Sequence, residues 1–207
     1  MMVIREMRLN HSQSKPPADG LLAPSQEPFP RDLNPREHLV HVYHQDETLI
    51  TSITSFVTDG LSGGESVIVV ATPEHRAVLE RELRAAGLDP GEAAAQRRFF
   101  SLDAARTLDR LMVNRRPDPI KFFATIGSLM AEARAAGTAV RAFGEMVALL
   151  WAQGNQIGAL ELEDLWNELG RSCVFRLFCA YPASNFTGAN AGFSWLNVCK
   201  CHSRVVL

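Results

Sequence analysis

The sequence predicts an α/β protein, a three-layer, doubly wound and mainly parallel sheet. Two observations carry this. Short apolar runs rich in β-branched residues alternate with longer amphipathic stretches, and helix-start and helix-stop residues sit at the junctions. One run, Ser66-Val-Ile-Val-Val-Ala71, is apolar almost throughout, as expected for a strand covered on both faces.

The elements follow in order. His38-Leu-Val-His-Val-Tyr43 alternates and reads as the first strand. Asp46 is the expected cap of a helix with Leu49, Ile50, Ile53, Phe56 and Val57 on its apolar face, and Gly60, Gly63 and Gly64 are expected to stop it. After the second strand, Thr72 suits an N-cap and Pro73 a first helical turn, with the helix running to Gly87. Residues 98–102 form the third strand, with a helix after Asp103. Residues 118–136 form a long helix ended by Gly137, and residues 138–143 the fourth strand. Two helices, 145–153 and 156–170, break at Gly154-Asn155. Residues 173–181 form the fifth strand, ended by Pro182, and residues 193–204 a terminal helix.

Residues 1–35 differ: they hold six of the chain's 11 prolines and show no apolar period. They read as a flexible tail, with a partner-docking polyproline peptide as the alternative, ahead of one domain over residues 36–207. The 207 residues carry 21 basic and 23 acidic side chains, which removes the electrostatic case for direct nucleic-acid binding. No apolar run reaches the roughly 18 residues of a membrane span, and no signal-peptide core appears, so a cytoplasmic location is expected. Four cysteines do not suggest a disulfide scaffold.

In such folds ligands sit beyond the carboxyl ends of the strands, where strand order switches. That rule selects Tyr43, His44, Thr72, Glu74, Asp103, Glu145 and Tyr181. The first strand-helix junction, Tyr43-His-Gln-Asp-Glu-Thr-Leu49, has no glycine or lysine and carries two acids, so it is no phosphate loop. Gly60-Leu-Ser-Gly-Gly64 lies at the wrong end of the sheet, and no G-x-S-x-G nucleophile elbow occurs. Cys173 and Cys179 read as core cysteines of one strand. Cys199-Lys-Cys201-His202 holds zinc-type donors, but two further ligands are not evident nearby, so packing is the preferred role and neither metal nor cofactor is expected. Trp151 and Trp166 read as core, His11 and His75 as surface residues.

Several blocks are longer and more specific: residues 38–43, 56–61 and 64–75, Arg141-Ala-Phe-Gly-Glu-Met-Val-Ala-Leu-Leu-Trp151, Glu161-Leu-Glu-Asp-Leu-Trp-Asn-Glu-Leu169, and Leu177-Phe-Cys-Ala-Tyr-Pro182. Together they resemble the MEDS family, a sensory domain of methanogen and methylotroph regulators, over about residues 38–205. The resemblance implies a relative of the RecA and KaiC fold that has lost its phosphate loop. It implies a non-enzymatic sensor of small hydrocarbon derivatives that acts on a signalling partner such as a histidine kinase or a transcription regulator. The chain would stand alone in a two-component type of system.

By that resemblance His38 and Tyr43 match the family's strand-one histidine and tyrosine, Glu145 matches the acid of its Gly-Glu-Met block, and residues 199–203 match its cysteine-to-histidine ending. The expected ligand-binding residues are Tyr43, His44, Thr72, Glu145 and Tyr181, with His38 added by the family match. Glu145 either contacts ligand or caps the following helix, and His38 is either a contact or structural. Two other readings compete: a non-catalytic, pseudo-ATPase-like interaction scaffold that holds a kinase or a second copy of the chain, and a residual enzyme with His44 or His75 as phosphoacceptor.

Overall fold

The computed structural model describes residues 29–187 and 191–207. β1 (His38–Tyr43) leads into α1 (Asp46–Ser62), and β2 (Ser66–Ala71) into α2 (Pro73–Ala85) and α3 (Pro90–Ala95). β3 (Phe99–Asp103) and α4 (Ala104–Leu111) come next. A small hairpin, β4 (Met112–Val113) with β5 (Arg116–Pro117), follows. α5 (Pro119–Phe122), a π-helical stretch (Phe123–Gly127) and α6 (Ser128–Ala136) run on from one another. β6 (Val140–Gly144), α7 (Met146–Ala152), α8 (Gln156–Ser172) and β7 (Arg176–Pro182) continue the alternation. A 3₁₀ turn (Ala183–Phe186), α9 (Ala191–Cys201) and β8 (Arg204–Val206) complete the order.

The six main strands pair in parallel in the order β3-β2-β6-β7-β1-β8, with helices on both faces. The expected three-layer α/β fold is therefore present. Side-chain alternation along each strand feeds two cores. Val40, Val42, Ile68, Val70, Ala142, Leu177 and Cys179 join the core under α4 to α9. Leu39, Val67, Val69, Phe143, Phe178 and Ala180 join the core under α1, α2 and α3. β1, β2 and β6 are buried along their whole length; β2 is accordingly apolar almost throughout, while β1 buries His38 and His41 and β6 buries Arg141.

Several local expectations are corrected. Asp46 is the first residue of α1 rather than its cap; Gln45 holds that position, without a side-chain capping bond. Gly60 does not stop α1 but lies inside it, where a Cβ would come within 2.9 Å of both Arg141 and Val67. The stop is left to Gly63 and to Gly64, whose φ is 76°. Cys173 is the C-cap of α8 and not part of β7. The terminal helix ends at Cys201, and a sixth strand, three residues long, follows it.

Residues 1–28 of the expected tail lie outside the described residues, as does His11. The segment just before residue 36 packs onto the sheet. The Phe29 ring is 4.8 Å from that of Phe178, Leu33 is buried, and Arg176 donates to the Leu33 carbonyl at 2.9 Å. Glu65 ties the sheet's amino-terminal edge together by accepting from Arg141 and Arg176.

His41 faces the α1 side, 2% exposed, among Phe29, Tyr43 and Phe178. Its Nδ1 has no hydrogen-bond partner among the described residues. Burial pushes its pKa down to about 4. The unfolded chain therefore binds a proton that the folded chain refuses, and stability falls as pH drops from about 6.5 toward 4. This one group should cost about 3 kcal/mol by pH 4. Denaturant melts of the wild type and His41→Leu across this range should show a steeper acid loss in the wild type; parallel curves would contradict the assignment. Gly60→Ala should lower stability by about 1–3 kcal/mol through overpacking against Arg141 and Val67, read as a drop in melting temperature.

Candidate functional site

β2 and β6 are neighbours, with Val70 opposite Gly144, so the residues just beyond them meet at the carboxyl edge of the sheet. The chain leaves β2 toward α2 on one face and β6 toward α7 on the other, which makes this a switch point. Thr72 caps α2 by accepting from the His75 amide at 3.3 Å. Glu145, 3% exposed, reaches across: one carboxylate oxygen accepts from the Thr72 amide at 2.7 Å, and the other pairs with His75 Nδ1. On its other side His75 Nε2 lies 3.8 Å from Asp46. The carboxylates hold His75 above its ordinary pKa: the hydrogen bond from Glu145 is the main cause, partly opposed by burial. Tyr43 is raised by burial and by the charges of Glu145 and Asp46.

Glu145 stands at the N-cap position of α7 but makes no side-chain cap there. It fastens the β2–α2 turn instead. His75, expected at the surface, is its half-buried partner. The sequence signal was present: a histidine at the third position of a helix begun by Thr72-Pro73 points back toward the capping turn. His44 is exposed at the start of the β1–α1 turn. Glu74 lies exposed on the first turn of α2, and Asp103 caps α4 by accepting from the Arg106 amide.

Beside His75 a groove of about 750 Å³ runs between α1 and α2. Ile50 and Val78 give it an apolar lining, while Asp46, Thr54, Thr58 and His75 supply polar groups. The hydroxyls of Thr54 and Thr58, one helical turn apart, are buried with no partner among the described residues. Unpaired buried hydroxyls are costly, and these two lie behind the groove wall that their residues help to form. Sequence reasoning missed both, because threonines on an amphipathic helix give no distinguishing pattern.

Tyr181 does not join this site. It faces the opposite layer, where its hydroxyl donates to Glu163 Oε1 at 2.9 Å. There a second polar cluster lies beneath β1 and β7. His38 Nε2 is 3.3 Å from Glu163 Oε2 and 3.4 Å from Cys179 Sγ, and Cys179 Sγ is 3.4 Å from the same Oε2. His202 Nε2 lies 3.4 Å from Glu163 Oε1. Burial lowers His38 and raises the Cys179 thiol and the Tyr181 phenol, with the Glu163 charge adding to the last two. Burial would raise Glu163 as well, but the adjoining imidazoles outweigh it and hold the carboxyl below its usual range. Glu163 was not anticipated. Its signal is an acid on the buried stripe Ala159, Leu162, Trp166 and Leu169 of α8. Trp151 and Trp166 are core residues, as expected.

The sequence matches the family described as the MEthanogen/methylotroph, DcmR Sensory domain (MEDS) over residues 37–203. The chain belongs to the MEDS family. It is therefore built on a sensory domain, and the MEDS match begins one residue before His38 and ends one after His202. No curated protein matches the chain. No helix among the described residues is long and apolar enough to cross a membrane.

Because the His75 pKa is raised by its partner, the pair stabilises the fold fully below pH 6.5 and loses that contribution as pH rises through the raised value. Glu145→Gln should bring the His75 imidazole back toward about 6.5 in an NMR titration. The melting-temperature gap between wild type and variant should be wider at pH 6 than at pH 9. A His75 titration unmoved by the substitution would show that the pair does not form.

Proposed function

We propose that the protein is a non-catalytic sensor. It binds a small, partly apolar molecule of the hydrocarbon-derivative class in the α1–α2 groove and passes its state to a signalling partner such as a histidine kinase or a transcription regulator. The observation that carries this reading is the groove itself, where apolar Ile50 and Val78 lie beside the Glu145-held His75. Ligand sites of this size are mostly apolar with a few placed polar groups. A ligand carrying one oxygen or halogen and a short hydrocarbon body places its polar atom toward His75 and covers Ile50 and Val78.

Five acids, Asp46, Glu47, Asp59, Glu74 and Glu82, outnumber Arg31 and Arg81 around the same groove and disfavour anions. The acids at its mouth also oppose nucleotide phosphates, in keeping with the missing phosphate loop. Tyr43, Thr72 and Glu145 act as the frame that fixes His75. Signal leaves through α2, whose first turn is bonded to that frame.

A thermal-shift panel of short alcohols, halocarbons and carboxylic acids tests the reading. Neutral members should raise the melting temperature and acids of equal size should do so less. Glu145→Ala, which releases His75 from its frame, should weaken the best ligand roughly tenfold or more, the scale of one misplaced hydrogen-bonding group. Binding to Glu145→Ala as tight as to the wild type would remove this site. A panel with no stabilising member, together with a tight complex or a self-associated state by light scattering, would favour the interaction scaffold instead.

A further inference from the structure

We propose that His38, Glu163, Cys179 and His202 form a binding site for one divalent transition-metal ion of the zinc type. The site lies on the other face of the sheet from the α1–α2 groove, and its argument does not rest on the sensor reading. The four donor atoms all lie within 4.8 Å of one another, and they come from β1, α8, β7 and the turn after α9. Bonds of about 2.0–2.3 Å in a tetrahedron place ligand atoms about 3.3–3.7 Å apart. The three distances among His38 Nε2, Cys179 Sγ and Glu163 Oε2 are 3.3 to 3.4 Å, and His202 Nε2 lies 3.4 Å from the other carboxylate oxygen.

The proton positions fit the same purpose. His202 Nδ1 is 2.7 Å from the Val198 carbonyl, which can only accept, so Nδ1 carries the proton and Nε2 presents a lone pair in the neutral ring. The Asn167 amide donates to the Cys201 carbonyl, which turns its Oδ1 toward His38 Nδ1 at 3.0 Å. His38 therefore also carries its proton on Nδ1 and aims Nε2 inward. Both imidazoles are oriented through their outer nitrogens, as metal-bound histidines are. The result is two lone pairs facing a fully buried carboxylate, and His202 Nε2 has no hydrogen-bond partner among the described residues. A cation between them supplies the positive charge that the buried carboxylate otherwise draws only from protonated imidazoles.

Charge and chemistry narrow the ion. Binding displaces the Cys179 thiol proton to solvent, and the thiolate and carboxylate together neutralise a dication, leaving no net charge buried. A thiolate with two imidazoles suits zinc and its first-row neighbours and disfavours magnesium and calcium. Access is provided by a surface cavity of about 610 Å³ lined by Arg36, His38, Asn167, Lys200 and Cys201. The expectation of no metal rested on Cys199 and Cys201, which are not among these ligands. His202 is shared, but its companions are distant in sequence.

The test uses the full chain, freed of metal by a chelator and titrated with Co²⁺ and then Zn²⁺. One equivalent of Co²⁺ should give the visible absorption of a tetrahedral site plus a thiolate-to-cobalt charge-transfer band, and Zn²⁺ should displace it. Cys179→Ser should abolish that band while far-UV circular dichroism stays unchanged, and Asn167→Leu should weaken binding roughly 10–100-fold. X-ray absorption of the wild-type zinc form needs no variant and should show one sulfur at about 2.3 Å and three nitrogen or oxygen neighbours at about 2.0–2.2 Å. Failure to bind one equivalent, a shell with no sulfur or two, or a band that survives Cys179→Ser but is lost in Cys201→Ser would overturn the proposal.

Discussion

β1 lies between β7 on one side and the three residues of β8 on the other, buried along its full length. Its parallel register with β7 pairs His38 with Leu177 and Tyr43 with Pro182. That register sets which side chains share a face. Val40 and Val42 point into the larger core beside Cys179 and Tyr181, while Leu39 and Tyr43 point under α1. A slip of one residue would exchange the two sets and leave His38 without Glu163. The cluster around Glu163 depends on this pairing, as the Glu145–His75 pair depends on that of β2 with β6.

The two clusters divide the labour of the fold differently. At the carboxyl edge Glu145 links β6 to the β2–α2 turn, so a carboxylate on one layer sets the position of a histidine on the other. Beneath the sheet Glu163 gathers donors from four separate elements around one point. The first is half open to solvent and adjoins a groove, which suits a reversible ligand. The second is buried and gathers two imidazoles, a thiol and a carboxylate, which suits a long-lived one.

Much of this was legible in the sequence because the central strands obey local rules. Ser66–Ala71 is covered on both faces and is apolar almost throughout, and Thr72-Pro73 announces the next helix. β8 was not legible, since three residues carry no period, and its place is fixed by Ser203 bonding both ways with the His38 backbone. The π-helical stretch likewise leaves no mark, because its apolar spacing merges with that of α6. At the carboxyl edge, strand-end position selected Thr72 and Glu145 among seven candidates, and the β2–β6 pairing that joins them belongs to the tertiary fold. The same rule misplaced Tyr181, because strand-end position says nothing about which face a side chain takes. Glu163 and His202 are 39 residues apart in the chain, and only tertiary packing brings them together.

His41 marks one more property of the architecture. Phe29 packs 6.5 Å from its ring, and Val206 pairs with it across β8. Arg204, at the start of β8, bonds Glu37 at 2.8 Å, so incoming and outgoing chain also run side by side before that point. A segment attached upstream and one attached downstream would thus be tethered to a single corner of the sheet. Tension or docking at either tether acts on the same strand, β1, and through His38 on the cluster around Glu163.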